Sequence, residues 1–445
     1  MPQPDERKVQ EVRSTADALS AAGATQWGLA TRLAFRLVFA YEIIYSFPFP
    51  LDLLPWSDKI FAWHETLLSK MTVWTGAHIL HLSKPLVYSF YDSGDSMFGW
   101  VRNLVQLMLA VAAAAIWTLL DRKRSSYRSL QEWLWLYVRL VLGAAMIGYG
   151  AIKVIKVQFP DLFLWRLLSP YGDSSPTGLL WSFMGYSRAY NIFTGLVELL
   201  GGALLFVPRL ATLGALVCIG SMANVFMLNV SYDVSVKLYS FNLLLMGVYL
   251  MAPEARRMLN VFVLNRVAAP VAHSPLFRKK WLNAGVLVLQ LVLLIYLGGH
   301  DLYQSHKRYT QSGDGAPPPP LYGVYTVDEF IVDGQARPAV FTDEARWQRV
   351  TFERFNLVAI FAGDGPVRRY KIKLDQSKKG LELNSIRGGN WKADFSFEQR
   401  SPTLLTLHGE MDGKKIQANL RKLELKSMPL YEGGIHWITD ASLFR

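Results

Sequence analysis

Two charged residues inside long apolar runs are the sharpest candidates for chemistry in this sequence. Lys153 lies near the end of one apolar run, and Glu198 lies within the next. A charge at such a depth in a membrane is costly, so it needs a partner or a function. If the two runs form adjacent antiparallel helices, the ammonium group and the carboxylate could meet. The sequence leaves two interpretations of this pair open: a salt bridge that fixes the helix register, or part of a functional site.

Further polar residues near the ends of later apolar runs point to a cavity. Together with Tyr232 and Asp173, these polar residues could line one cavity that opens to the outside; the alternative is that short outer loops are simply polar. Glu42 lies deep in the first run, whereas Arg32 and Arg36 are expected to extend to the nearer membrane surface. No catalytic residue is assigned. The candidate cavity residues are Glu42, Asp95, Lys153, Glu198, Asn224, Asn229, Asp233, Lys237 and Asn242.

Metal-binding and nucleophile motifs are missing from the sequence. His78 and His81 are close enough to share a helix face, and His64 precedes them, but no ligand-type residue lies at a suitable spacing, so no metal is predicted. There is no Walker A loop, GxSxG or HExxH motif. A single cysteine, Cys218, excludes an internal disulfide or a CxxC redox pair.

The elements that must position these residues are membrane helices. Hydrophobic residues make up 51% of the chain and cluster in long runs, while charged residues make up only 18%. A further amphipathic segment, residues 59–82, predicts an interfacial helix. Seven spans are predicted, at about 27–49, 98–120, 133–155, 191–207, 210–230, 236–252 and 282–299.

The distribution of charge predicts the orientation of these spans. The net charge of +12 comes largely from short loops, where it orients a membrane protein, and we do not expect nucleic acid as a partner. Residues 1–26 form a polar tail without the apolar core of a signal peptide. The basic loops around Arg122–Arg124 and Arg256–Arg257 predict a cytoplasmic N-terminus. With seven spans in a bacterial inner membrane, the C-terminal domain would then lie outside the cytoplasm.

Beyond the helical domain, residues 27–306, the apolar period changes. Residues 307–320 end in four prolines and predict a stiff linker. Residues 321–445 alternate apolar and polar positions between hairpin turns such as Asp333-Gly334 and Asp412-Gly413. About eight short strands predict an up-and-down barrel or a sandwich, whose opening Gly323-Val324-Tyr325 loosely resembles a lipocalin start. The aromatic tail, residues 433–445, either closes the barrel or acts as a ligand lid. The predicted strand residues are Val324, Tyr325, Val327, Val350, Phe352, Leu357, Ala359, Phe361, Tyr370, Ile372, Leu374, Leu381, Leu383, Phe395, Phe397, Leu404, Leu405, Leu407, Ile416, Ala418 and Leu420.

Two motifs stand out in the third and fourth apolar runs: Arg139 with residues 143–153 ending at Lys153, and Val197-Glu198-Leu199-Leu200-Gly201-Gly202 before the Pro208-Arg209 turn. On these motifs, residues 133–253 resemble the four-helix core of DoxX-like membrane proteins. The wider superfamily includes the membrane core of vitamin K-dependent carboxylase-like proteins. The resemblance implies a helical bundle, sometimes associated with thiol, sulfur or quinone redox complexes, with Lys153 and Glu198 as its polar pair. The lone Cys218, the additional spans and the β domain depart from that pattern.

Three functions remain open at this point. The first is a membrane module whose external barrel binds an apolar small molecule or a partner protein. The second is a membrane oxidoreductase or carboxylase-like enzyme that acts on a quinone or a lipid, with the cavity around Lys153, Glu198 and Asp233. The third is a transporter, for which the sequence shows neither an inverted repeat nor a broken helix.

Overall fold

The computed structural model describes residues 26–87, 94–268, 275–340, 342–363, 365–386 and 388–432. The predicted closing tail, residues 433–445, lies outside these ranges, as does the N-terminal polar tail up to residue 25. The chain divides into two compact units. Unit 1 consists of residues 1–145, 201–230 and 234–294, and unit 2 of residues 146–200, 231–233 and 295–445.

Helices occupy most of the chain before residue 313. Among the helices that the structure describes, five are long and apolar enough to cross a membrane: Met97–Leu120, Arg128–Val154, Arg188–Phe206, Pro208–Ser231 and Lys280–Ser312. The chain is therefore a membrane protein. The helices are α1 (Leu29–Ser46), α2 (Ser57–His78), α3 (Met97–Leu120), α4 (Arg128–Val154), α5 (Leu164–Leu168), α6 (Pro176–Tyr186), α7 (Arg188–Phe206), α8 (Ala211–Ser231), α9 (Lys237–Met251), α10 (Ala255–Met258), α11 (Lys280–Ser312) and α12 (Pro429–Glu432).

The two remaining predicted spans are helices with different properties. The first, α1, carries three charged residues, Arg32, Arg36 and Glu42, in 18 residues. The other, α9, has only 15 residues before it tightens into a 3₁₀ turn at Ala252–Glu254. A helix needs about 20 residues to cross the hydrocarbon core, so α9 alone is short for a span.

Arg36 corrects one expectation from the sequence. Its side chain is buried rather than extended to the membrane surface. The guanidinium donates to the Asp121 carbonyl at 2.7 Å, to the Thr118 hydroxyl at 2.9 Å and to the Tyr127 hydroxyl at 2.7 Å. Inside unit 1, these oxygen atoms accept hydrogen bonds that the guanidinium N–H groups would otherwise donate to water, so the side chain does not need to reach the membrane surface.

The last long helix also differs from its prediction. The apolar pattern predicts a span that ends near Gly299, followed by an extended linker from Lys307, but α11 continues without a break to Ser312. Residues 301–312 carry polar side chains, apart from Leu302, and remain helical. The segment without regular structure before the first strand is therefore shorter than predicted, from residue 313 to residue 322.

The C-terminal part of unit 2 is a closed antiparallel barrel of eight strands. Strands β1 and β3 to β9 pair in sequential order, and β1 pairs with β9 to close the barrel. The two-residue β2 forms a short hairpin on β1. This confirms the predicted barrel. The strands are β1 (Gly323–Val332), β2 (Gln335–Ala336), β3 (Trp347–Phe352), β4 (Leu357–Ala362), β5 (Arg368–Asp375), β6 (Gly380–Ser385), β7 (Lys392–Ser401), β8 (Leu404–Met411) and β9 (Lys414–Lys422).

Large side chains fill much of the barrel interior. Tyr325, Phe330, Trp347, Phe352 and Phe395 belong to one buried cluster with the inward residues of the other strands. In β9 the predicted inward set is confirmed, because the three apolar residues of that strand all join the cluster.

In β4 the predicted phase is wrong. The predicted residues of this strand are Leu357, Ala359 and Phe361, but Val358, Ile360 and Ala362 face the core. Ala359 is buried on the opposite face of the sheet. This strand is covered on both faces, so apolarity no longer marks the inner side.

Candidate functional site

Lys153 and Glu198 form a buried ion pair within unit 2. Nζ of Lys153 donates to Oε1 of Glu198, and both side chains are almost completely enclosed. The predicted contact between the neighbouring helices α4 and α7 is thus confirmed.

Two glycines permit the close approach of α4 and α7 at this pair. A Cβ on Gly150 would lie 2.7 Å from the Leu199 backbone nitrogen and 2.8 Å from the Gly195 carbonyl oxygen. A Cβ on Gly195 would lie 2.8 Å from the Gly150 carbonyl oxygen and 2.8 Å from Cβ of Lys153. Because glycine has no side chain, the two helix backbones can touch here, and this contact brings Lys153 directly to Glu198.

One oxygen of the buried carboxylate is left over. In the described part of the chain, Oε2 of Glu198 has no hydrogen-bond donor. The Lys153 ammonium lies 5.9 Å from the centre of the Tyr149 ring. One acceptor of the pair therefore remains open to a further donor.

Asp95 and Lys237 meet at the start of α9 in unit 1. Backbone N–H groups of Lys237 and Leu238 donate to the Asp95 carboxylate at 2.6 Å and 2.9 Å. Nζ of Lys237 lies 3.8 Å from Oδ2 of the same carboxylate. Asp95 therefore caps the free N–H groups of this helix, which is a structural use of the two predicted residues.

Asn242 and Glu42 lie in a second polar region of unit 1. Oδ1 of Asn242 accepts from the Tyr41 hydroxyl at 2.7 Å, and that hydroxyl accepts from Nδ2 of Asn103 at 3.2 Å. The adjacent Glu42 is buried, and its Oε2 has no hydrogen-bond donor among residues 26–87, 94–268 and the later described ranges.

The remaining cavity candidates have separate surroundings. Nδ2 of Asn229 donates to the Ser240 hydroxyl at 3.0 Å, which ties α8 to α9. Asn224 is exposed on α8. Asp233 is exposed in a tight turn with φ of 51°, and its carbonyl accepts from the Thr177 hydroxyl at 3.0 Å. The structure thus brings together Lys153 with Glu198 and Asp95 with Lys237, and it gives the others different neighbours.

Arg139, one of the residues on which the expected resemblance to DoxX-like proteins rests, is also buried in unit 1. Its guanidinium donates to the Leu205 carbonyl at 2.6 Å and to Oε1 of Gln290 at 3.1 Å, and it lies 4.6 Å from the centre of the Trp135 ring. Gln290 was not among the predicted site residues. An amide in the middle of an apolar span, well inside Asn283 near the start of the helix, was the signal that could have found it.

The histidines do not share a helix face as the spacing suggested. α2 ends at His78, and His81 lies three residues beyond with φ of 49°. Nδ1 of His78 lies 3.0 Å from the Trp74 carbonyl oxygen, and its ring stacks on the Trp74 ring. The two imidazoles therefore belong to different local structures.

The barrel has a pocket at one end. Its volume is about 300 Å³, and its apolar wall includes Phe330, Trp347 and Ile416. Charged residues, among them Arg368 and Lys414, line the same pocket. An apolar wall with a charged border suits a molecule with an apolar body and a polar end.

A buried carboxylate joins the barrel to the loop after α4, and sequence reasoning missed it. Glu353, just after β3, accepts from the backbone N–H groups of Leu164 and Trp165 at 2.9 Å and 2.7 Å, and from the Thr351 hydroxyl at 2.8 Å. Burial raises the pKa of Glu353, and these three donors oppose that effect. No local pattern marks Glu353, because its backbone partners are 188 and 189 residues away in sequence.

The fold defines a class: membrane proteins in which apolar helices precede a closed eight-stranded antiparallel barrel. The chain is 31% identical over 124 residues to the uncharacterized protein YwoB of Bacillus subtilis (strain 168), a match that covers 28% of this chain and 79% of that protein. The chain therefore belongs to the same family as YwoB. No family model matches the chain, and no solved structure matches it.

Proposed function

We propose that this chain is a membrane protein whose C-terminal barrel binds a small, mainly apolar molecule. The observation that carries the proposal is the pocket of about 300 Å³ at one end of the barrel. Phe330 and Trp347 contribute to both the barrel core and the pocket wall, so the pocket extends the apolar interior outwards. A ligand would bury its apolar part there and leave its polar end at the charged border.

The interior beyond the pocket argues for a compact ligand. Residues such as Tyr325, Phe352 and Phe395 occupy the remaining core. Protein interiors are close-packed, and a long molecule would have to displace these rings. The pocket therefore fits a short apolar group or the end of an acyl chain, as in a lipocalin-like binding domain.

The membrane arrangement that accompanies this proposal has seven spans, with α1 and α9 added to the five apolar helices. The N-terminus lies in the cytoplasm, and the barrel lies outside the cytoplasmic membrane of a bacterium. The basic residues that follow α3, such as Lys123 and Arg124, support this orientation. The close α4–α7 contact around Lys153 and Glu198 supports a DoxX-like helical core.

The pocket can be tested by filling it in the full-length protein. Val332 is buried and lines the pocket, so Val332→Phe should occupy part of its volume. We expect native mass spectrometry to show a saturated fatty acid bound to the wild type and binding weakened by about tenfold in the variant. Val340→Phe is the matched control, because Val340 is 47% exposed and does not line the pocket. Equal fatty-acid binding by wild type and Val332→Phe, or no binding by the wild type, would contradict the proposal.

A second candidate is an enzyme that acts on a quinone or a lipid within the membrane. The observation in its favour is the buried Lys153–Glu198 pair, whose Oε2 has no donor in the described chain. The hydroxyl of a lipid, or of a quinol (the reduced form of a quinone), could donate to that oxygen. Loss of a cellular phenotype in Glu198→Gln at normal protein level and stability would favour this enzyme over a structural salt bridge.

A further inference from the structure

Two arginines line a second pocket in unit 2, outside the barrel. The pocket has a volume of about 280 Å³ and is formed by the segment between α4 and α7 together with one barrel residue. Arg166 comes from α5 and Arg369 from β5. Their guanidinium carbons lie 4.6 Å and 4.7 Å from the centre of the Trp165 ring. Both positively charged guanidinium groups therefore contact the same tryptophan ring and line the same pocket.

These two cations lack a counter-charge within the part of the chain that the structure describes. No carboxylate there lies within 4.0 Å of either guanidinium. Asp161 also lines the pocket, but it is engaged by Lys156, and its backbone N–H donates to Asp314 at 2.7 Å. Burial and the charge of Arg369 both lower the pKa of Arg166, as expected when two cations converge without an anion.

The other polar groups of the pocket are already committed to the protein. The Ser175 hydroxyl accepts from the Gly178 N–H at 3.1 Å, and the Thr177 hydroxyl donates to the Tyr232 carbonyl at 2.9 Å. The Ser182 hydroxyl donates to the Gly178 carbonyl at 2.8 Å. Recognition of a ligand therefore falls to the guanidinium N–H groups, which favour planar or tetrahedral oxyanions.

The position of the pocket and the residues that line it further restrict the chemical class of the ligand. Residues 155–187 connect α4 to α7, two helices that can cross a membrane, so this connection emerges at a membrane surface. The pocket is lined by residues between 160 and 182 of the connection. Phe163, Trp165 and Trp181 give the pocket an aromatic wall. Aromatic and arginine side chains together are typical of the region of lipid headgroups.

We propose that this pocket binds a phosphate group, with Arg166 and Arg369 as its two cationic contacts. The phosphate belongs either to the headgroup of an anionic lipid or to a free phosphate compound. The site is separate from the pocket at the end of the barrel, and its test does not depend on that function.

The test uses full-length protein in neutral detergent and native mass spectrometry. The probes are phosphatidylglycerol, phosphatidylcholine and inorganic phosphate. The wild type should retain phosphatidylglycerol in preference to phosphatidylcholine. The double variant Arg166→Gln/Arg369→Gln should bind phosphatidylglycerol about tenfold or more weakly, since charge-assisted contacts are lost. Displacement of the lipid by inorganic phosphate would identify free phosphate as a ligand, and no displacement would identify the lipid headgroup.

A matched variant controls for the loss of two positive charges. Arg349 and Arg400 are exposed barrel residues that do not line the pocket, so Arg349→Gln/Arg400→Gln should bind phosphatidylglycerol like the wild type. If the double pocket variant fails to fold, phosphatidylglycerol binding is measured with the single variant Arg369→Gln. Arg369 is exposed on the barrel surface, so this substitution should leave the fold intact. Equal phosphatidylglycerol binding by the wild type and the folded pocket variant would overturn the proposal, as would the absence of binding by both anionic probes.

Discussion

Burial and hydrogen bonding act in opposite directions on Glu353. Burial raises the pKa of its carboxyl group, and the donors Leu164, Thr351 and Trp165 lower it, with a net shift upward. The folded protein therefore holds this proton more tightly than the unfolded chain does. The contribution of Glu353 to stability is complete below the ordinary glutamate pKa, and it is lost as the pH rises through the raised folded pKa.

Glu353→Gln removes this ionisation. The variant should lose the part of the pH dependence that belongs to Glu353, and its amide NH₂ would face backbone donors at a cost of about 1–3 kcal/mol. Thermal unfolding of the full-length protein, measured from acidic to neutral pH, checks both effects. Glu398→Gln is a suitable control, because the Glu398 side chain is 57% exposed. An unchanged pH slope in Glu353→Gln would refute the assignment.

The ion pair between Lys153 and Glu198 gives a second residue-scale prediction. Glu198→Gln leaves a buried ammonium without its counter-charge, and removing one partner of such a pair costs about 3–5 kcal/mol. Lys153→Met/Glu198→Met removes both charges and should recover much of that loss. Thermal unfolding in detergent measures the two changes. A single variant as stable as the wild type would show that the pair does not hold the helices together.

At the scale of elements, the α4–α7 contact depends on glycine. Gly150→Ala would place Cβ 2.7 Å from the Leu199 backbone nitrogen, and a backbone atom cannot move aside. We expect a loss of about 1–3 kcal/mol, as in other overpacked contacts, visible as a lower melting temperature. Gly298→Ala on α11 is the control, because nothing lies within 4 Å of its Cβ position. Equal melting temperatures for the two variants would contradict the close helix approach.

Element prediction from the sequence succeeded where one face of an element is buried and the other is not. In β9, Ile416, Ala418 and Leu420 alternate with polar residues, so the inward face could be predicted. In β4, Ala359 is buried on the outer face, and the alternation of apolar and polar residues disappears. α11 was predicted too short because polar residues mark where an apolar face ends, but they do not end a helix.

Contacts between elements distant in the chain were less predictable. Lys153 and Glu198 could be paired because two charges in neighbouring apolar runs need each other. The partners of Glu353 could not be predicted, since they are backbone N–H groups, which nearly every residue possesses. The predicted single cavity likewise required side-chain directions, and Asp95 turned out to cap a helix.

At the scale of the whole molecule, apolar helices and a closed barrel belong to one chain. The five apolar helices establish that the protein belongs in a membrane. Where the barrel lies depends on the number of crossings and on the positive charges that orient them. If α1 and α9 also cross, seven spans place the two ends of the chain on opposite sides. With the proposed cytoplasmic N-terminus, the pocket in the barrel would then face away from the cytoplasm.

Reporter fusions at two positions test this arrangement directly. Alkaline phosphatase, which folds only outside the cytoplasm, and green fluorescent protein, which becomes fluorescent inside it, are each placed behind Arg445 and behind Arg124. With the proposed orientation, we expect active phosphatase and dark fluorescent protein behind Arg445, and the reverse behind Arg124. Fluorescence together with inactive phosphatase behind Arg445 would contradict it.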